Sequence, residues 1–402
     1  MLARDISGTL FLLVALQGLT AANKLMRAPL VLDNEDPIVH IKVDGQEVGL
    51  LADTGALSLF LIWKAWYTET YQKPCDSSIF GCYECNPSPC QEGPTETIEF
   101  DEGSNVTVFD HSGLIKFAEG VAGGINFGLI CGFGSPDPTM EVWASLGLGP
   151  PDGGPTYTSI TQQLADKGLI AASSSSIYMK PDGARMVGEV IFGGEDKSKY
   201  DGPMRFIKVM SDDFVQFFTT SIEGHKILMG TQYARVDSGS YKLVIPKRFE
   251  SQIVTLIRKR IQIDKKEDMF FFHCEDFKSL PTITYTFMGS QGEGVPLGIS
   301  LGALFLPYEQ GLCYLPLYFV DEDIWILGSI AFVNHYWSFD WGNSRIGVAK
   351  NSLLTLRVVV LPGRVRKGAA RTQAPRDSAV LGSRAFRNQA GATSGSRSPG
   401  TL

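Results

Sequence analysis

Short strand-like apolar runs recur along the chain, separated by turn residues. The clearest is Ile41-Lys42-Val43-Asp44-Gly45-Gln46-Glu47-Val48, two alternating arms about an Asp-Gly turn, which predicts a β-hairpin. Ser221-Ile222-Glu223-Gly224-His225-Lys226-Ile227-Leu228 predicts a second hairpin of the same kind. The first strand is expected near Val39. Helical spacing is scarce; Ser159 to Gly168 and Pro246 to Ile263 carry it best, with Pro246 in the first turn of the second. With 43 Gly and 21 Pro in 402 residues, the pattern predicts an all-β protein with two sizeable cores.

Two segments stand out against this background: Ala52-Asp53-Thr54-Gly55-Ala56 and Val236-Asp237-Ser238-Gly239-Ser240. Each places Asp, a hydroxyl residue and Gly within apolar sequence. A lone carboxylate near a buried strand end is costly. Two in matching contexts are expected to share one site, where one keeps a proton and the other acts as base. Each follows a predicted hairpin and precedes an apolar-Gly strand, Leu146-Gly147 in one half and Leu327-Gly328 in the other. The pattern is that of an internal duplication, with a pseudo-twofold axis between Asp53 and Asp237. The hydroxyls of Thr54 and Ser238 are placed to hold the two loops together.

On these residues the chain resembles the pepsin-like aspartic endopeptidases, from about Pro29 to Lys350. The stretches Val190-Ile191-Phe192-Gly193-Gly194, Tyr336-Trp337-Ser338-Phe339-Asp340 and Arg345-Ile346-Gly347-Val348-Ala349 are similar to that family's lobe crossing and C-terminal signature. The resemblance implies a bilobal all-β fold of two barrel-like lobes, residues 23–200 and 201–351, with the active site between them. It implies that Asp53 and Asp237 bind the water that attacks a peptide carbonyl. It makes Gly55, Gly239, Ser240 and a flap residue the peptide-binding groups. The flap of the family carries a Tyr, bonded to a Trp; here Phe100 and Phe60 take those positions. Ala56 replaces a Ser beside the first Asp, which removes a hydroxyl partner and favours a protonated carboxyl. Trp143-Ala144 replaces an Asp-Gly. The family's prosegment has little room between Ala22 and Val39. Two other readings of the fold are a non-catalytic peptide- or protein-binding member and a β-rich ligand carrier.

Residues 1–22 read as a secretory signal: Arg4, the apolar run Leu10 to Leu16, then small residues to Ala22. That run is too short to span a bilayer, and Val358-Val359-Val360-Leu361 is shorter still. Secretion or delivery to an acidic vacuole makes disulfides the expected state of the 7 Cys. The resemblance implies a Cys274–Cys313 bridge and a small disulfide loop among Cys75, Cys82, Cys85 and Cys90. Four Cys allow three pairings, and Cys82-Tyr83-Glu84-Cys85 also has the spacing of a redox motif or half a zinc site. Cys131 is then odd, a buried thiol. Asn105-Val106-Thr107 is a glycosylation acceptor beside the flap.

The net charge of −7 is uneven. From Leu353 to Leu402 eight Arg and one Lys face only Asp377, a balance of +8, leaving −15 on the rest. The acidic body argues against nucleic acid as a partner and fits work at low pH. Residues 352–402 read as a basic, disordered tail. The 5 His show no metal spacing, so neither metal nor cofactor is expected, and a monomer acting on peptides is. Gly298-Ile299-Ser300-Leu301-Gly302 mimics a serine-hydrolase elbow, but its strand-like flanks lack the helix that motif needs.

Overall fold

A computed structural model describes residues 24–33, 36–100, 103–150, 157–182, 185–210, 213–308, 311–352 and 359–360. The signal-like segment 1–22 and most of the basic tail lie outside these residues. Among them, thirteen strands join into one sheet that carries the N-terminal half. Its far edge is built by Tyr200–Lys208, His335–Asp340 and Arg345–Asn351, from the other half of the chain. A seven-stranded and a five-stranded sheet make up the C-terminal half. The fold is all-β and bilobal.

The first strand is Met26–Asp33, earlier than the Val39 start expected, because Leu30 and Val31 pair with both Val39-Ile38 and Gly188-Val187. Both predicted hairpins are present. Asp44 and Gly45 take φ 48° and 82°, Glu223 and Gly224 48° and 77°, the paired positive angles of a tight type I′ turn. Ser159 caps a helix, Ile160–Asp166. The second expected helix is shorter than its periodicity. Pro246 ends a strand paired with Leu317–Val320, a 3₁₀ turn follows over Lys247–Phe249, and the helix runs only from Glu250 to Arg258.

The duplication is exact in register around the two Asp loops. Gln46–Asp53 runs parallel to Ser145–Gly147, with Ala52 opposite Leu146, and Leu59 lies antiparallel across the same Leu146. His225–Val236 runs parallel to Trp325–Leu327, with Val236 opposite Leu327, and Leu243 crosses the same Leu327 antiparallel. Gly is required after each short strand because the chain passes so close. A Cβ on Gly147 would lie 2.4 Å from the Ser58 nitrogen, and one on Gly328 2.2 Å from the Lys242 oxygen.

Cys274 is bonded to Cys313, Cys75 to Cys82, and Cys85 to Cys90. Cys82 and Cys85 each pair outward, so the redox and zinc readings of that spacing fall: both sulfurs are already used. Cys131 is free but half-buried rather than buried; its Sγ donates to the Thr107 carbonyl at 3.5 Å, and burial raises its pKa. A peptide map under non-reducing conditions should return these three bridges, with the Cys131 peptide alone carrying an alkylating tag. A free Cys274 or Cys313 would contradict this pairing. Gly294–Ser300 is a strand followed by a turn and the strand Leu304–Pro307, so the elbow-like motif sits in no elbow. Within the expected disordered tail, Val359–Val360 adds a short parallel strand beside Leu304-Phe305, as a β-branched run at a sheet edge can. No helix among the described residues is long and apolar enough to cross a membrane.

Candidate active site

The crossed strands deliver Asp53 and Asp237 to one place from opposite lobes. Both are buried, 2% and 0% exposed, and each carboxyl lies against the glycine of the opposite loop. Asp53 Oδ1 accepts from the Gly55 and Ala56 N–H groups at 2.9 and 3.0 Å. Asp237 Oδ1 accepts from Gly239 N–H at 2.9 Å. Because Ala56 carries no hydroxyl, only its backbone serves Asp53, alongside that of Gly55.

The glycines also have a packing role, beside the peptide-binding role the resemblance implies for them. A Cβ on Gly55 would lie 2.7 Å from Asp237 Cγ, and one on Gly239 2.6 Å from Asp53 Cγ. Each Gly is the surface against which the opposite carboxyl rests; any side chain there would drive the pair apart. Ser240 lies beside the pair, on the Asp237 loop. It is buried, with its hydroxyl 3.5 Å from the Lys242 carbonyl, because its backbone is tied to Asp237 and Ser329.

Thr54 and Ser238 lock the loops reciprocally. Thr54 Oγ1 donates to the Val236 carbonyl at 2.9 Å and accepts from Ser238 N–H at 2.9 Å. Ser238 Oγ donates to the Ala52 carbonyl at 2.5 Å and accepts from Thr54 N–H at 3.1 Å. Four buried bonds cross between lobes. Ser329 Oγ adds a bond to the Ser238 carbonyl at 2.9 Å.

Burial pushes the Asp53 carboxyl up to about 6, against the pull of the Gly55 and Ala56 donors. Burial and the neighbouring Asp53 charge hold Asp237 well above the usual carboxylate range. Two carboxyls so placed retain a proton between them near neutral pH. Arg235 acts on both in the opposite sense. Sequence reasoning passed it over, although a cation within the apolar run Tyr233 to Val236 was the available signal.

Thr95–Glu99 and Asn105–Lys116 form a hairpin where the resemblance implies the flap. Phe100 is buried against Trp143, ring centroids 4.9 Å apart, and meets Phe60 edge-on at 6.3 Å. Phe133 meets Trp143 edge-on, ring centroids 5.8 Å apart. An aromatic cluster thus takes the place of a Tyr–Trp hydrogen bond. Replacing both polar partners together leaves neither stranded. Asn105 opens the second flap strand and is half-buried beside Gly134. Among the described residues, no group of three or more His, Cys, Asp or Glu could hold a metal.

The sequence profile of the eukaryotic aspartyl protease family matches residues 144–351, just over half of the chain. The chain belongs to that family. The matched segment holds Asp237 and begins after Asp53. Among curated relatives, rat (Rattus norvegicus) gastricsin is 25% identical over 340 residues, 77% of this chain and 79% of gastricsin. Pepsin A of Suncus murinus is 26% identical over 347 residues, 82% of this chain and 84% of the pepsin. The match to mouse (Mus musculus) gastricsin, 26% identical, covers 48% of this chain and spans only 50% of that relative's length. The crystal structure of an aspartic proteinase from Irpex lacteus superposes with a TM-score of 0.63 at 16% identity, over 83% of this chain and 99% of that one, a likeness of fold.

Proposed function

We propose that this chain is an aspartic endopeptidase that hydrolyses peptide bonds in mildly acidic solution. The observation that carries the reading is the buried Asp53–Asp237 pair, brought together by reciprocal loops of a protease fold so that each carboxyl lies against the other loop's glycine. With one proton shared between them, the pair binds a water. Asp53, with two backbone donors, is the better carboxylate and takes the water's proton as it attacks the scissile carbonyl. Asp237 keeps the proton and polarises the carbonyl oxygen. Collapse of the tetrahedral adduct returns the proton to the leaving amine. The substrate lies extended under the flap, adding a strand between the lobes, which meet near residue 200.

Three disulfides and the signal-like N-terminus support a secreted or vacuolar enzyme. A glycan on Asn105 would stand at the turn end of the flap hairpin. The aromatic packing of Phe100 supports a second reading, a member that binds peptides without cutting them, since it restrains the flap.

The test is digestion of an unfolded protein substrate across pH 3–8, with and without a hydroxyl-bearing peptide mimic of the tetrahedral adduct. Cleavage blocked by the mimic, persisting toward neutral pH, is expected. Tight binding of the mimic with no cleavage would establish the binding-only reading. Neither binding nor cleavage would overturn the proposal.

A further inference from the structure

We propose that Arg235 is a positioning residue for the aspartate pair: clamped by Asp213 and Phe214, its guanidinium sets a positive charge behind Asp53 and Asp237 and fixes the pH at which they hold one proton. The inference rests on the peptidase reading above. Arg235 is 2% exposed and stands two residues before Asp237, so on an extended strand the two side chains share a face. Its Nε is 3.0 Å from Asp213 Oδ2, and its guanidinium carbon lies 4.9 Å from the Phe214 ring centroid. The strands on either side bring it apolar neighbours, Phe214 and Ile326.

A buried Arg is an expensive way to fill such a position. Desolvating an ion pair costs more than it returns unless the geometry is excellent, and an apolar residue of similar volume packs as well or better. Asp213 sits at φ 65°, in the left-handed region that Asp and Asn accept. Structure alone gives no reason for this charge here, whereas the dyad does. Arg235 lowers the pKa of both carboxyls, against the burial that raises them. Of the charged groups, Asp237 and Arg235 act chiefly on Asp53, and Asp53 and Arg235 on Asp237. The carboxylate facing Arg235 itself is that of Asp213.

The two members of the clamp should therefore move the enzyme in opposite directions. Arg235→Gln removes the cation and moves both limbs of the pH profile of kcat/KM upward, by about one pH unit. Asp213→Asn leaves the cation less neutralised and moves both limbs downward; Asn tolerates the left-handed backbone. Arg235→Lys keeps the charge and the parent's limbs. A merely structural clamp would lower activity in all variants without opposite shifts, and that result, or shifts of one sign, overturns the proposal. If Arg235→Gln does not fold, Asp213→Asn decides alone: limbs that stay in place or rise refute it. Should the parent show no peptidase activity, the peptidase reading fails by itself. The ionisation of Asp53 and Asp237 followed by carboxyl ¹³C NMR in the same variants then tests the same opposite shifts.

Discussion

Asp53→Asn and Asp237→Asn should each lower kcat/KM for peptide cleavage by about 10³-fold or more while the protein stays folded, since each removes the acid or the base of one proton-transfer step. Asn keeps the shape of the carboxyl and can still lie against Gly239 or Gly55, so the loops are retained. It cannot exchange the shared proton. A variant that cut peptides within tenfold of the parent would refute the assignment of the pair. The same substitution should also stabilise the protein at neutral pH. Asp53 titrates at about 6 in the folded chain, against 3.8 as the ordinary value. Its contribution to stability is thus fully present below about pH 4 and is lost as pH rises through 6. At pH 7 the ionised, buried carboxyl therefore costs stability. Asp53→Asn removes that cost, so its Tm should rise at pH 7 and change little at pH 4. A gain of stability paired with a loss of rate is what a group retained for chemistry shows.

The parts of this site legible in sequence were those written in local chemistry. Asp44-Gly45 and Glu223-Gly224 mark hairpins because so few residue pairs accept positive φ at both positions. The Asp-hydroxyl-Gly loops repeat, and repetition made the shared site readable. Contacts between lobes were less so. Gly55 and Gly239 read as turn residues and peptide supports, and only the fold shows that each also lies against the opposite carboxyl. The burial of Ser240 is likewise set by the fold and not by its neighbours in sequence. The helix Lys64–Tyr71 was missed because its residues, Lys-Ala-Trp-Tyr-Thr-Glu-Thr-Tyr, carry little helical periodicity. Only Tyr67 is buried, and ring contacts of Tyr71 with Tyr67 and Trp66 hold the turns instead. The helix after Pro246 was read too long for the converse reason. Ile261 and Ile263 are buried from a loop, yet they continue the helical spacing of Ile253, Val254 and Ile257.

Removing either hydroxyl of the interlobe lock should cost about 2–5 kcal/mol, because each leaves a buried carbonyl and a buried N–H without partners. Thr54→Val strands the Val236 carbonyl and the Ser238 N–H; Ser238→Ala strands the Ala52 carbonyl and the Thr54 N–H. The four bonds are distinct, so independent sites would give additive losses. They are not independent. Once one hydroxyl is gone and the loops part, the other's bonds lengthen too, so the double variant should lose less than the sum of the singles, by about 0.5–3 kcal/mol. Kinetics should follow the same geometry. A displacement of about 1 Å between reacting groups costs about 100-fold in rate, and kcat should fall by that order in each single variant. The pH profile should change in a direction that simple destabilisation does not give. The Asp53 charge helps to hold Asp237 high. As the carboxyls separate that effect fades, and the basic limb, which reports loss of the shared proton, should move to lower pH. Urea unfolding and a pH profile of kcat/KM on the two singles and the double check both consequences. Additive stability losses with an unmoved basic limb would show that Ser329 and the crossed strands, not the hydroxyl lock, set the distance between the two aspartates.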